Sequence, residues 1–465
     1  MPIMNHTIKF EPELLRRYDK AGPRYTSYPT AVQFHEGFGE EQYRSWAARS
    51  NAGDPAPPLS LYVHLPFCDT VCYYCACNKI VTKDHSRAAP YLQRLFREIA
   101  LQGSLFDRSR PVNQLHWGGG TPTFISPEEM RALMDTLRAH FSLRSDDGGE
   151  YSIEIDPRTA GEPEMRLLRE LGFNRVSLGV QDFDPQVQKA VNRVQTEQET
   201  VAVLDAARKH GFRSANIDLI YGLPHQSRES FGRTLDRIIA AAPERLSVFN
   251  YAHLPELFKP QRRIEAADLP TPAEKLDILQ LTMDRLGAAG YVYIGMDHFA
   301  RPDDELAVAQ RSGTLYRNFQ GYSTHADCDL VGLGISAIGK VGASYSQNVR
   351  GQEDYHALID QDRLPVMRGV ELSHDDLLRR EVITRMICHF ELEMDAIGRQ
   401  YSVDFADYFA HELQELRSME NDGLLAVDHH LIRVLPAGKL LIRNICMVFD
   451  RYLRAQKQQR FSKVI

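Results

Sequence analysis

The chain has 465 residues, 43% of them hydrophobic and 25% charged, with a formal net charge of −7 at pH 7. That length implies two or three domains rather than one core. The acidic balance argues against nucleic-acid binding, and no apolar run approaches the roughly 20 residues of a membrane span. The first residues, Met1-Pro-Ile-Met-Asn-His6, lack a basic-then-apolar secretory pattern. A cytoplasmic setting is therefore expected, where thiols stay reduced and clustered cysteines bind metal or do redox work.

Residues 1–57 read as an N-terminal arm. Glu11–Asp19 is a short helix candidate, and Gly22–Thr30 is extended because two prolines and a glycine oppose helix. Arg24, Tyr25 and Tyr28 are candidates to cover a substrate, with a plain surface arm as the alternative. Residues 58–355 then alternate strand and helix. Strands are expected at Leu61–Leu65, Asn113–Trp117, Tyr151–Asp156, Arg175–Val180, Ala215–Tyr221 and Leu246–Asn250. Helices are expected at Arg87–Gly103, after the Ser126-Pro-Glu-Glu cap, and at Pro163–Gly172, Glu197–His210 and Ser230–Ala241. Strands alternating with helices imply a parallel sheet. Six units fall short of a complete eight-unit barrel, so the fold class is α/β: a partial, open (β/α)6 barrel. Gly290–Ala300 and Asp329–Ile338 read as further strands, with Gly332, Gly334 and Gly339 admitting either a ligand or tight strand packing. Residues 356–465 are mainly helical, at Leu372–Phe390, Phe405–Met419 and Lys439–Gln456, with a hairpin over Gly423–Leu435. That layout is winged-helix-like, and the basic end, Arg451 to Lys463, reads as a solvated tail.

Four of the seven cysteines, Cys68, Cys72, Cys75 and Cys77, fall within ten residues just after the first strand. The first three have the spacing C-x3-C-x2-C. Three thiolates can hold three irons of a [4Fe-4S] cubane and leave the fourth iron open for chemistry, whereas electron carriers usually ligate every iron. Zinc, a disulfide or core packing are the alternatives; zinc usually wants a second ligand pair, and none follows. Cys328, Cys388 and Cys446 are scattered and read as packing. The remaining residues of chemical interest lie at strand C-termini, the ligand edge of barrels and open α/β sheets. They are Gly118–Gly120, Glu154, Asp156, Gln181, Asp218 and Tyr251-Ala252.

C-x3-C-x2-C near the start of an α/β chain resembles the radical S-adenosylmethionine (SAM) superfamily. The resemblance narrows on Gly22-Pro-Arg-Tyr-Thr-Ser-Tyr-Pro-Thr, Leu115-His-Trp-Gly-Gly-Gly-Thr-Pro-Thr, Gly179-Val-Gln-Asp-Phe, Val191-Asn-Arg, Asn216-Ile-Asp-Leu-Ile-Tyr-Gly-Leu-Pro and Phe249-Asn-Tyr-Ala-His-Leu-Pro. Together with the cysteines these are similar to the oxygen-independent coproporphyrinogen III oxidase (coproporphyrinogen dehydrogenase) family, over residues 20–350 or so. The resemblance implies oxidative decarboxylation of two propionates of coproporphyrinogen III to vinyls in haem biosynthesis. It implies a [4Fe-4S] cluster on Cys68, Cys72 and Cys75 and two SAM molecules. Tyr62, Tyr74, Gly119, Glu154 and Ile338 would line the SAM on the iron; Gly120, Thr121, Gln181, Arg193, Asp218 and Ala252 would line the second. Cys77 would serve catalysis without binding the cluster. An electron donor to the cluster, a separate electron acceptor and a monomeric state are also expected. Two departures stand out: Ala76 replaces a frequent glycine, and Thr324-His-Ala-Asp-Cys replaces a Thr-x-Gly-Asp run. The rival is a radical-SAM-like haem chaperone, which lacks a counterpart of Cys77 and the long arm.

Overall fold

A computed structural model of the chain describes residues 8–325 and 328–455. Six parallel strands form its centre: β1 (Leu59–Leu65), β2 (Pro111–Gly119), β3 (Glu150–Ile155), β4 (Arg175–Gln181), β5 (Ser214–Tyr221) and β6 (Arg245–Asn250). They lie side by side in the order β6-β5-β4-β3-β2-β1. Alternation explains the barrel. Leu61, Val63, Leu115, Trp117, Ile153, Leu178, Ile217 and Leu246 are fully or almost fully buried under helices at 88–103, 127–140, 162–171, 197–209 and 228–241. The alternate positions are polar: Ser60, Tyr62, Gln114, His116, Ser152, Glu154, Ser177, Asn216 and Asp218, most of which face an open lumen of ≈ 260 Å³. Local chemistry starts and stops the helices. Ser126 and Glu129 form a reciprocal capping box, and Gly172 closes its helix at φ 106°, in the left-handed region.

The sheet extends at both ends. Gly290–Ala300 is a hairpin rather than one strand, β7 (Val292–Gly295) with β8 (His298–Ala300), because Met296 and Asp297 turn with φ of 45° and 74°. The expected strand Asp329–Ile338 is also divided. A strand at Asp329–Leu333 runs parallel to β1, and the chain then reverses at Gly334 and Ser336 into an antiparallel strand at Ile338–Lys340. A Cβ on Gly332 would lie 2.8 Å from the Ile338 carbonyl oxygen and one on Gly339 2.9 Å from that of Leu330, so these glycines serve strand packing. Strands at Ser344–Asn348 and Val366–Glu371 complete the sheet, which continues past residue 355. A short hairpin, Tyr316–Asn318 with Gly321–Ser323, stands apart from it.

Beyond the sheet, a helix at His374–His389 precedes a small sheet of Glu391–Glu393, Leu425–Val427 and Leu431–Val434. The expected helix over Lys439–Gln456 is interrupted. Ile442–Val448 ends before Asp450, whose carboxylate accepts from the Tyr452 and Leu453 amides and so starts Arg451–Ala455. Arg451 and Arg454 are not in a solvated tail: Arg451 pairs with Asp375 at 2.6 Å and Arg454 with Glu412 at 2.8 Å. The rest of that basic end, from residue 456, lies outside the described residues, as do Ala326 and Asp327 of the departing Thr324–Cys328 run.

The arm is knitted to this C-terminal part. Tyr25 and Tyr28 are 5% and 1% exposed, packed against the C-terminal part rather than standing free over the barrel. Tyr25 donates to Asp450 at 3.0 Å, and the Arg451 amide donates to the Tyr28 hydroxyl at 3.2 Å. The proline-rich stretch cannot satisfy its own carbonyls; Arg443 does so for Gly22 and Pro23. The helix Glu40–Asn51 follows it in the arm, unpredicted by the sequence reading.

Candidate functional site

The four clustered cysteines occupy the loop leaving β1. The loop is clamped from several strand ends. The Tyr73 amide donates to the Val191 carbonyl at 3.0 Å, Asn192 to that of Val71 at 2.8 Å, and Gln261 to that of Tyr74 at 2.9 Å. The Thr82 amide closes the loop on the Cys68 carbonyl at 2.9 Å.

Cys68, Cys72, Cys75 and Cys77 line one cavity of ≈ 450 Å³ at the C-terminal edge of the strands. Tyr74, Gly119, Gly120, Thr121, Glu154, Gln181, Arg193 and Asp218 line it too. Three expected SAM residues are not in its lining. Tyr62 stacks on His116 at 5.8 Å, Ile338 packs with Phe34, Phe319 and Tyr345, and Ala252 lines a neighbouring cavity of ≈ 360 Å³ that Arg24 also lines. Among the described residues, no three His, Cys, Asp or Glu side chains converge as a single metal ion requires.

Donors surround the sulfurs. Thr121 Oγ1 lies 3.6 Å from Cys68 Sγ, and Arg193 Nη1 lies 3.5 Å from Cys72 Sγ. Arg193 is held by Asp156 at 3.1 Å and by the Gly179 carbonyl at 2.5 Å, while its buried Nε has no hydrogen-bond partner. Asp156 also binds Arg158 at 2.6 Å. Burial pushes the Cys68 thiol up to about 11; a hydrogen bond with Cys77 lowers the Cys75 thiol, which Lys79 also favours. Asp156 was among the strand-end candidates, whereas Arg158 and Lys79 were not expected at the site; an arginine two residues after a strand-end acid was the available signal for Arg158. Donors aimed at sulfur, and one orphaned guanidinium nitrogen, suit an anionic group held by thiolates.

The glycine run is tighter than a ligand ledge. A Cβ on Gly118 would lie 3.1 Å from the Glu154 carboxyl, one on Gly119 2.7 Å from the His64 ring, and one on Gly120 2.5 Å from the Phe67 carbonyl oxygen. These close approaches bring the β2 end against the cysteine loop and leave the Gly119 amide donating to Glu154 at 3.1 Å. Inside the lumen, burial raises Asp218 to about 6, although Ser177 and Asn216 donate to it at 2.9 and 2.8 Å.

A family model described as the Radical SAM superfamily matches residues 62–238, and one described as the HemN C-terminal domain matches residues 372–441. The chain is 58% identical to an oxygen-independent coproporphyrinogen III oxidase of Pseudomonas aeruginosa, over 99% of this chain and 100% of that one. It is 51% identical to the protein of the same name in Escherichia coli, over 98% and 99%. The solved structure of coproporphyrinogen III oxidase (HemN) from Escherichia coli, a radical SAM enzyme, matches with a TM-score of 0.91 at 50% identity, covering 96% of this chain and 100% of that chain.

Proposed function

The chain belongs to the oxygen-independent coproporphyrinogen III oxidases of the radical SAM superfamily, and on that premise we propose that it turns two propionates of coproporphyrinogen III into vinyls, giving protoporphyrinogen IX. Each conversion removes a hydrogen atom, carbon dioxide and one electron, the electron leaving to an acceptor. Cys68, Cys72 and Cys75 would hold a [4Fe-4S] cluster, reduced by an external donor. The cluster and SAM supply, when bound, the one-electron cleavage whose product takes hydrogen from an unactivated carbon.

The chain's own residues position and insulate. Arg193 and Thr121 stabilise thiolate charge through the contacts to Cys72 and Cys68. Glu154 offers a carboxylate to ribose hydroxyls, as strand-end acids do in dinucleotide folds, with Tyr62, Tyr74, Gly119 and Ile338 completing that SAM site. Gly120, Gln181, Asp218 and Ala252 join Arg193 and Thr121 around a second SAM. Cys77, beside Cys75 and outside the triple, acts on the substrate side. The carrying observation is the three thiols of C-x3-C-x2-C meeting Arg193 and Thr121 in one cavity at the ligand edge of a parallel barrel.

The test is anaerobic incubation of the reconstituted enzyme with coproporphyrinogen III, SAM and a reductant. Protoporphyrinogen IX and 5′-deoxyadenosine should appear together on chromatography. SAM cleavage without any vinyl product would refute the reading.

A further inference from the structure

A second, smaller cavity lies where the arm, the 316–323 hairpin, the strand Ile338–Lys340 and the helix His374–His389 meet. It has ≈ 20 Å³ of free space, enough for a water-sized group or one carboxylate head but not a ring. Its lining includes Arg317, Lys340, Arg380 and His325, and no Asp or Glu among the described residues.

Among the described residues, no carboxylate lines the cavity beside these cations. Arg317 is 8% exposed, its guanidinium lies over the Tyr322 ring at 4.8 Å, and its Nε and Nη1 have no hydrogen-bond partner. Arg380 Nη1 is likewise buried without one. Burial and the neighbouring Arg380 lower the Lys340 ammonium. The nearest acids are engaged elsewhere: Asp329 binds Arg110 at 2.6 Å and the Gly342 amide at 2.9 Å, and Glu381 binds Arg385 at 2.7 Å. Like charges gathered out of water, with N–H groups unmet, are costly unless an anion joins them. Two guanidinium forks and an ammonium suit a carboxylate.

The cavity touches the barrel interior. Ser60 lines it and donates to Gln114 at 2.8 Å, with Gln320 at 3.4 Å; both glutamines face the lumen. It shares no lining residue with the thiol cavity. We propose that Arg317, Lys340 and Arg380 form a carboxylate pocket that receives a propionate the enzyme does not decarboxylate. This rests on the function proposed above. In coproporphyrinogen III the two propionates that survive sit on neighbouring pyrroles, across the macrocycle from the two that react. Holding the surviving edge turns the reacting edge toward the cysteines, and it gives a reason why two of four propionates are converted.

Lys340→Met and Arg380→Met, made separately in the full reconstituted enzyme, test this. Each should raise the KM for coproporphyrinogen III at least tenfold with cluster absorption unchanged. Lys340→Met should also melt no lower than the parent, because it removes an uncompensated charge; a merely structural lysine would lower melting. Unchanged KM in both variants overturns the pocket. Should either variant fail to fold, acetate titration of the parent replaces it: saturable thermal stabilisation supports an anion pocket, and none overturns it. Stabilisation by acetate or inorganic phosphate, lost in Lys340→Met while KM stays unchanged, assigns the pocket to a free anion and overturns the propionate. A parent enzyme that makes no vinyl product refutes the proposed function instead, and the acetate titration still decides the pocket.

Discussion

Burial works to raise the Glu154 carboxyl, yet the His116 ring at 3.5 Å and the Gly119 amide hold it below the usual carboxylate range. It stays ionised and half-exposed to the cavity, as an acceptor for hydroxyls must. Glu154→Ala should weaken SAM binding by roughly 1–3 kcal/mol, the range for charge-assisted hydrogen bonds; unchanged affinity by calorimetry would leave Glu154 a clasp for the Gly119 turn. The cysteines divide by the same logic of contact. Serine at 68, 72 or 75 should abolish iron content and visible absorption, whereas Cys77→Ser should keep both and lose decarboxylation. Iron loss in Cys77→Ser would mean the wrong three were chosen. Asp218 gives a pH signature. Its folded value of about 6 lies above the ordinary aspartate range. A raised carboxyl favours folding most below the unfolded value, and that contribution is lost as pH rises through about 6. Relative to the parent, Asp218→Asn should therefore gain roughly 1 kcal/mol of stability between about pH 5 and pH 7.5. Parallel melting profiles at the two pH values would contradict this.

At the scale of elements, the arm behaves differently from a detachable cover. Deleting residues 1–30 strips Tyr25 and Tyr28 from Asp450 and the Arg451 amide. Burial of two aromatic side chains implies a loss of roughly 3 kcal/mol or more, so the truncated protein should melt several degrees lower; equal melting would restore the free-lid picture. This contact was invisible in the sequence because it joins residues more than 400 positions apart, and periodicity reports only local neighbours. The barrel was legible for the opposite reason. Its six strands alternate apolar and polar, and its helices carry local signals such as the Ser126–Glu129 box. Past β6 the signal fails: strands of three to six residues and left-handed turns at Met296, Gly334 and Ser336 carry little period. In the site, the cysteine spacing announced the loop, but Arg193 against Cys72 depends on the Val191–Arg193 segment folding back from another strand. Ala252 does not line the thiol cavity but one that the arm residues Arg16 and Arg24 also line.

For the whole molecule, charge would set how the proposed substrate arrives. A tetracarboxylate near −4 meets a chain of net charge −7, so long-range forces repel it and only local cations attract. Salt shortens the repulsion, from about 30 Å at 0.01 M to about 10 Å at 0.1 M. Across that range kcat/KM for coproporphyrinogen III should rise modestly, by roughly twofold; a steep fall would show a basic surface steering the encounter. The bond between the two ends of the chain also has a meaning in time. A ribosome releases the N-terminal residues first, and domains generally fold as they emerge. Tyr25, Gly22 and Pro23 find their partners at Arg443 and Asp450, more than 400 residues later. The arm must therefore wait for its partners while all the residues between are made. The barrel closes before it docks, and a nascent chain stalled short of residue 443 would expose both that segment and the surface meant to receive it.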